Sequence, residues 1–156
     1  MKRILLLIVL LFPVQAFAVT SVTRYVTSNC ANNGDGTAAS CAASAGAAGA
    51  YNSGANAKSD IASDYSNNFV TADVVVTVEH AGTSVDTSTV DWSGITTDAT
   101  RYLILQSSGS NRHAGIWSTS KYIHRGDGTA DYLIGMGYTR VIGMQLEAGR
   151  SDDNGH

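Results

Sequence analysis

Val74-Val75-Val76-Thr77-Val78 is the stretch on which the fold reading turns, because its apolar residues fall on both faces of an extended chain. A half-buried strand alternates apolar and polar side chains. A run without alternation belongs to a strand covered on both sides, the situation of parallel sheets. Tyr102 to Gln106 (YLILQ) repeats the pattern, and Tyr132-Leu133-Ile134 and Arg140 to Leu146 give further extended segments. The centres near Val76, Ile104 and Leu133 are separated by 28 and 29 residues, and another lies at Ile142. Strands returning at such intervals point to a solenoid, with an antiparallel sandwich as the alternative on periodicity alone.

Upstream, residues 19–27 (VTSVTRYVT) alternate as a first strand, with Val22, Arg24 and Val26 on one face. Residues 28–54 are rich in Gly, Ala, Asn and Ser and read as a surface loop. Residues 55–65 are the one helix the pattern predicts: Ala57, Ile61 and Tyr65 share a face at i, i+4 and i+8, and Ser53 can cap its start. Asn67-Asn68 would end it. Residues 79–100 carry turn signals, among them His80-Ala81-Gly82 and Trp92-Ser93-Gly94. Ile116 to Ser118 and Lys121 to His124 read as short extended pieces, and Arg125 to Ala130 as a turn.

The N-terminus has another character. Lys2 and Arg3 precede an apolar run from Ile4 to Phe12, then Pro13 and the small-x-small Ala16-Phe17-Ala18. That order is the secretory pattern, and the run is shorter than the ~20 residues a bilayer span needs. Residues 1–18 are therefore expected to be a signal peptide, with the mature chain secreted to an extracellular or periplasmic space and carrying no membrane span. Removal leaves eight basic residues against 13 acidic ones, a formal charge of −5. A mildly acidic chain with scattered Arg has no electrostatic footprint for nucleic acid.

Export places Cys30 and Cys41 in an oxidising compartment, where one disulfide is expected. Free thiols or half of a metal site are the other readings, and no His or further Cys lies nearby to complete a zinc set. The mature part holds just two Lys (Lys58, Lys121) and two Glu (Glu79, Glu147), few of the residues that build solvated helices.

Three segments then carry a likeness: Trp92 to Ile104, Arg112 to Tyr122, and Tyr138 to Leu146, the last of the form YVRIxGLQI with Met144 where Leu is usual. Together they resemble the opening turns of secreted right-handed parallel β-helix proteins of the pectin-lyase-like class. Asn33-Gly34-Asp35-Gly36-Thr37 to Cys41, then Gly49 to Ser53, resembles their lead-in to a capping helix. The resemblance implies a mainly β fold: the N-terminal cap and first coils of such a helix over residues 19–147, with one short capping helix and a polar tail at 148–156. Because members carry many more coils, it also implies a truncated product or N-terminal fragment whose open end is prone to self-association. The class function implied is contact with extracellular polysaccharide, non-catalytic as the chain stands. The alternative is the N-terminal part of a polysaccharide lyase or glycoside hydrolase with its active site beyond residue 156. Ca²⁺ enters by resemblance alone; no cofactor is evident in the sequence.

Residues able to carry chemistry are thinly spread, so catalytic residues stay unassigned. Asp152-Asp153 is an adjacent acid pair of the type glycosidases use, but it sits in the polar tail and reads as solvated. Asp35 and Asp127 each lie in Gly-Asp-Gly-Thr, and one acid per loop suits a turn better than calcium. Arg125-Gly126-Asp127 is an adhesion tripeptide that also falls in a turn. His80, His113, His124 and His156 show no metal-ligand spacing and read as surface or hydrogen-bonded structural histidines. Trp92, Trp117, Tyr102, Tyr122, Tyr132 and Tyr138 supply rings able to stack on sugars, with most expected in the core.

Overall fold

The computed structural model describes residues 18–126 and 132–147. The chain is mainly β, with nine strands and two helices among those residues: β1 Thr20–Thr27, α1 Gly54–Asp64, α2 Phe69–Ala72, β2 Val74–Ala81, β3 Val85–Asp86, β4 Val90–Asp91, β5 Leu103–Gln106, β6 Ile123–Arg125, β7 Tyr132–Leu133, β8 Thr139–Ile142 and β9 Gln145–Glu147. The strands form three sheets, ordered β1-β2-β5-β8, β3-β6-β9 and β4-β7. Every strand pair in them is parallel. From β2 onward the chain visits the first, second and third sheet in turn, then returns to the first one layer further on.

Register explains the core. One inward column of the first sheet runs Arg24–Val78–Leu105–Val141, and its neighbour runs Val22–Val76–Leu103–Thr139. Val76, Val78, Leu103 and Leu105 are fully buried, and Phe69, Trp92 and Tyr122 fill the interior between the sheets. Aliphatic residues at successive register positions thus build one continuous interior, layer upon layer.

The first layer is covered by α1. Ser53 Oγ accepts from the Asn56 amide at 3.3 Å, and Ala57 and Ile61 are completely buried against the strands. Arg24, which begins an inward column, turns to Asp64 at the end of α1, 2.7 Å away. Asn68 starts a second, one-turn helix by accepting from Thr71 N, and Asp73 in the left-handed region turns the chain into β2.

Four corners share one local device. Asp35, Asp86, Asp91 and Asp98 each stand two residues before a Ser or Thr, and each Oδ1 accepts the backbone N–H of that residue at 2.7 to 3.0 Å. An Asx turn of this kind bends the backbone while satisfying its own donor.

The structure corrects several expectations. Arg140 to Leu146 is not one strand: Gly143, at φ 67°, turns the chain between β8 and β9. A side chain there would also meet Ser107 O at 2.7 Å. Residues 28–54 are not merely surface, since Ala42, Ala50 and Tyr51 are buried and backbone bonds from Gly34, Gly36 and Tyr51 tie the segment together. His80-Ala81 continues β2 instead of turning. Ile116–Ser118 forms no strand, whereas β3 and β4 arise inside what read as turns. The near-even spacing also dissolves, because Leu133 belongs to the third sheet and the true register partners Val22, Val76, Leu103 and Thr139 are unevenly spaced. Cys30 and Cys41 form the disulfide, closing a short loop worth ~3 kcal/mol by the chain-entropy argument.

Candidate functional site

Two polar constellations stand out, one inside the stack and one on its surface. The interior one follows from register. His80 ends the inward face of β2, and Asp86 and His124 are direct neighbours in the second sheet. Asp86 Oδ2 accepts from Gly54 N at 2.7 Å and from Tyr122 Oη at 2.9 Å, while Oδ1 accepts from Ser88 N and Ser88 Oγ at 3.0 and 2.6 Å. Burial opposes its charge, yet these donors and the nearby His124 imidazole hold the carboxyl well below the usual carboxylate range. Four donors, the first amide of α1 among them, make an anion the favoured form there.

His80 packs against the Tyr122 ring at 4.8 Å between centroids, and His124 against Tyr132 at 4.6 Å. His80 Nδ1 lies 3.2 Å from Val78 O. His124 Nδ1 is 3.9 Å from Asp86 Oδ2, beyond hydrogen-bond reach. Burial lowers the His80 pKa to about 4. Both histidines are buried, so neither is the surface histidine that the sequence allows. His80, Asp86 and His124 include acid and base types, but with Tyr122 they are buried in the interior of the stack.

The surface constellation is a shallow pocket of about 160 Å³ lined by Ala99, Tyr102, Gly137, Tyr138, Thr139 and Arg140. Arg140 stands beside Ile104 in the register of β5 and β8, and its guanidinium carbon lies 4.5 Å from the Tyr102 ring centroid. A planar cation over an aromatic face is the arrangement of a cation–π pair. Tyr138 is half exposed at the rim. Arg101, close in sequence, is engaged by Asp73 and Asp98, whereas Arg140 has no carboxylate partner among the described residues. The lining offers ring faces, two tyrosine hydroxyls and the five N–H donors of Arg140.

The remaining sequence candidates do not converge. Asp35 accepts from Thr37 N, Thr37 Oγ1 and Gly49 N, which makes it a turn residue. His113 Nδ1 accepts from Gly115 N in an exposed loop. Arg125 pairs with Glu147 at 2.8 Å. Asp127, Asp152, Asp153 and His156 lie outside the described residues. Trp92 and Tyr122 are core rings; Trp117 and Tyr138 are exposed. Among the described residues, no group of three or more His, Cys, Asp or Glu is placed to hold a metal ion. No helix among them is long and apolar enough to cross a membrane.

Sequence reasoning missed Asp86 and Arg140. Asp86 carried the Asp-x-Ser spacing as a signal, but nothing in the sequence placed it over α1. Arg140 meets Tyr102 through strand register, which no local pattern announces. No protein-family description matches the chain, and neither a curated protein nor a solved structure matches it.

Proposed function

We propose that the chain is an exported protein, with residues 1–18 as its signal peptide. In this reading it builds the N-terminal cap and first coils of a right-handed parallel β-helix of the pectin-lyase-like class and contacts extracellular polysaccharide without catalysis. Parallel pairing, rotation through three sheets and α1 over the first layer support the coil reading. The disulfide is consistent with export.

The observation that carries the functional part is the separation of the two constellations. The solvent-facing pocket holds Tyr102, Tyr138 and Arg140, while the acid–base groups His80, Asp86 and His124 are buried. Sugar rings present apolar C–H faces to aromatic rings and oxygen acceptors to guanidinium N–H groups, so such a pocket suits glycan contact.

Affinity gel electrophoresis tests this with polygalacturonate, alginate and a neutral β-glucan in separate gels. Retardation in at least one gel is expected, falling fivefold or more in Tyr138→Ala and Arg140→Ala. Free migration in every gel, or unchanged retardation of both variants, contradicts the reading. A second reading, the N-terminal part of a lyase or hydrolase, is favoured by the inward side chains Val141 and Leu146, which stand ready for a further coil. Turnover of a polyuronate, seen as absorbance of unsaturated product, would decide for it.

A further inference from the structure

We infer that Asp86 is an acid-sensitive latch on α1: when His124 takes a proton, its ring draws Oδ2 of Asp86 off the Gly54 amide and frees the first turn of the helix. The device lies inside the fold and stands apart from glycan contact.

An ionised carboxylate has about four lone-pair sites. Those of Asp86 are all taken: Gly54 N and Tyr122 Oη donate to Oδ2, and Ser88 N and Ser88 Oγ to Oδ1. His124 Nδ1 lies 3.9 Å from Oδ2, about 1 Å too far to bond. Neither ring nitrogen of His124 has a hydrogen-bond partner among the described residues, and the residue is buried. A neutral imidazole rests there against the Tyr132 ring. An imidazolium is different, because both nitrogens are then donors and a buried cation needs an anion. Asp86 is the one buried carboxylate among the described residues.

A fifth donor must displace one of the four. Oδ2 is the oxygen within reach, so the choice lies between Tyr122 and Gly54. Tyr122 is buried with its ring on His80, and a displaced hydroxyl there has no other acceptor. Gly54 opens α1 beside half-buried Asn52 and Ser53, where a fraying first turn reaches water. A rehydrated amide costs less than an orphaned buried hydroxyl, so Gly54 yields. The first turn then loses the anion at its positive end. Ala55 N, which donates to Ser88 Oγ, is held through the same carboxylate one step removed.

The groups around the pair leave this assignment to His124. His80 reaches it from β2, but burial lowers the His80 pKa to about 4, so in the folded chain that ring is still neutral at pH 5. Tyr122 and Tyr132 are phenols whose ionisation burial pushes further up. Leu146, the β9 neighbour of His124, carries no charge. From α1, Lys58 acts on Asp91, Asp60 acts on Tyr51, and Asp64 pairs with Arg24.

A titration of the full chain from pH 7.5 to pH 5, followed by nuclear magnetic resonance, tests the inference. The Gly54 amide proton is expected to move upfield with the same midpoint as the His124 ring carbons. Exchange protection at Gly54 to Asn56 is expected to fall about tenfold, through an opening that dilute urea does not promote, unlike the global opening that exchanges β2. His124→Asn is expected to lose both responses and His80→Leu to keep them. A Gly54 amide that stays fixed while His124 titrates, a His124 ring still neutral at pH 5, or responses that persist in His124→Asn would overturn the inference. If His124→Asn does not fold, the titration of the native chain decides by itself.

Discussion

The Asp86 carboxylate and the Gly54 amide lie 2.7 Å apart, so a side chain from the second sheet holds the first residue of the capping helix. The same oxygen accepts from Tyr122 Oη, one layer further on. One buried anion thus joins α1, the corner at Ser88 and the next layer of strands.

Replacement of Asp86 by Ala leaves a buried amide and a buried hydroxyl without an acceptor. The expected cost is about 3 kcal/mol in urea unfolding, with α1 losing amide-exchange protection before the strands. Asp86→Asn keeps acceptor oxygen and is expected to cost less. Equal stability of Asp86→Ala and the native chain would show that the carboxylate does not hold the cap.

His80 makes stability depend on pH. Its ordinary pKa of 6.5 is lowered to about 4, chiefly by burial, with Asp86 opposing and His124 assisting. The unfolded chain takes a proton near pH 6.5 that the folded chain refuses until about pH 4. Stability is therefore complete above pH 6.5 and declines as pH falls towards 4, by on the order of 3 kcal/mol. Asp86, whose folded carboxyl is held low, adds a further loss below its ordinary value of 3.8. Urea midpoints at pH 8 and pH 5 check this: a clear drop is expected in the native chain and a smaller one in His80→Leu. Matching midpoints in the native chain would contradict it.

Gly36 sits at φ 75° beside the Tyr51 ring, and a Cβ there would collide with that ring. Tyr51 is buried and its backbone pairs with Tyr25, so it cannot yield without disturbing the first layer. Gly36→Ala is expected to destabilise the chain by ~2–4 kcal/mol, measured by thermal unfolding. A neutral outcome would mean that the segment before α1 is not packed as described.

The parts of this fold legible in the sequence are those with enough residues to show a period. β2 and β5 announce themselves by apolar residues on both strand faces, and α1 by Ala57 and Ile61 four apart after Ser53. β3 and β4 have two residues each, too few for any period, and their strand character comes from pairing with β6 and β7. Gly143 lies inside a run that reads as continuous strand, so its corner shows only when β9 is seen to pair with β6. The candidate pocket divides the same way. Tyr102 and Tyr138 are conspicuous rings, but the residue that completes the pocket, Arg140, is set by register with β5.

The central claim is parallel, in-register stacking of β1, β2, β5 and β8. Nuclear Overhauser contacts in isotope-labelled protein measure it most directly. Amide-to-α contacts are expected around the pairs Val22–Val76, Val76–Leu103 and Leu103–Thr139, with no strong α-to-α contact between these strands. Strong α-to-α contacts linking β2 to β5, the mark of antiparallel neighbours, would contradict the account.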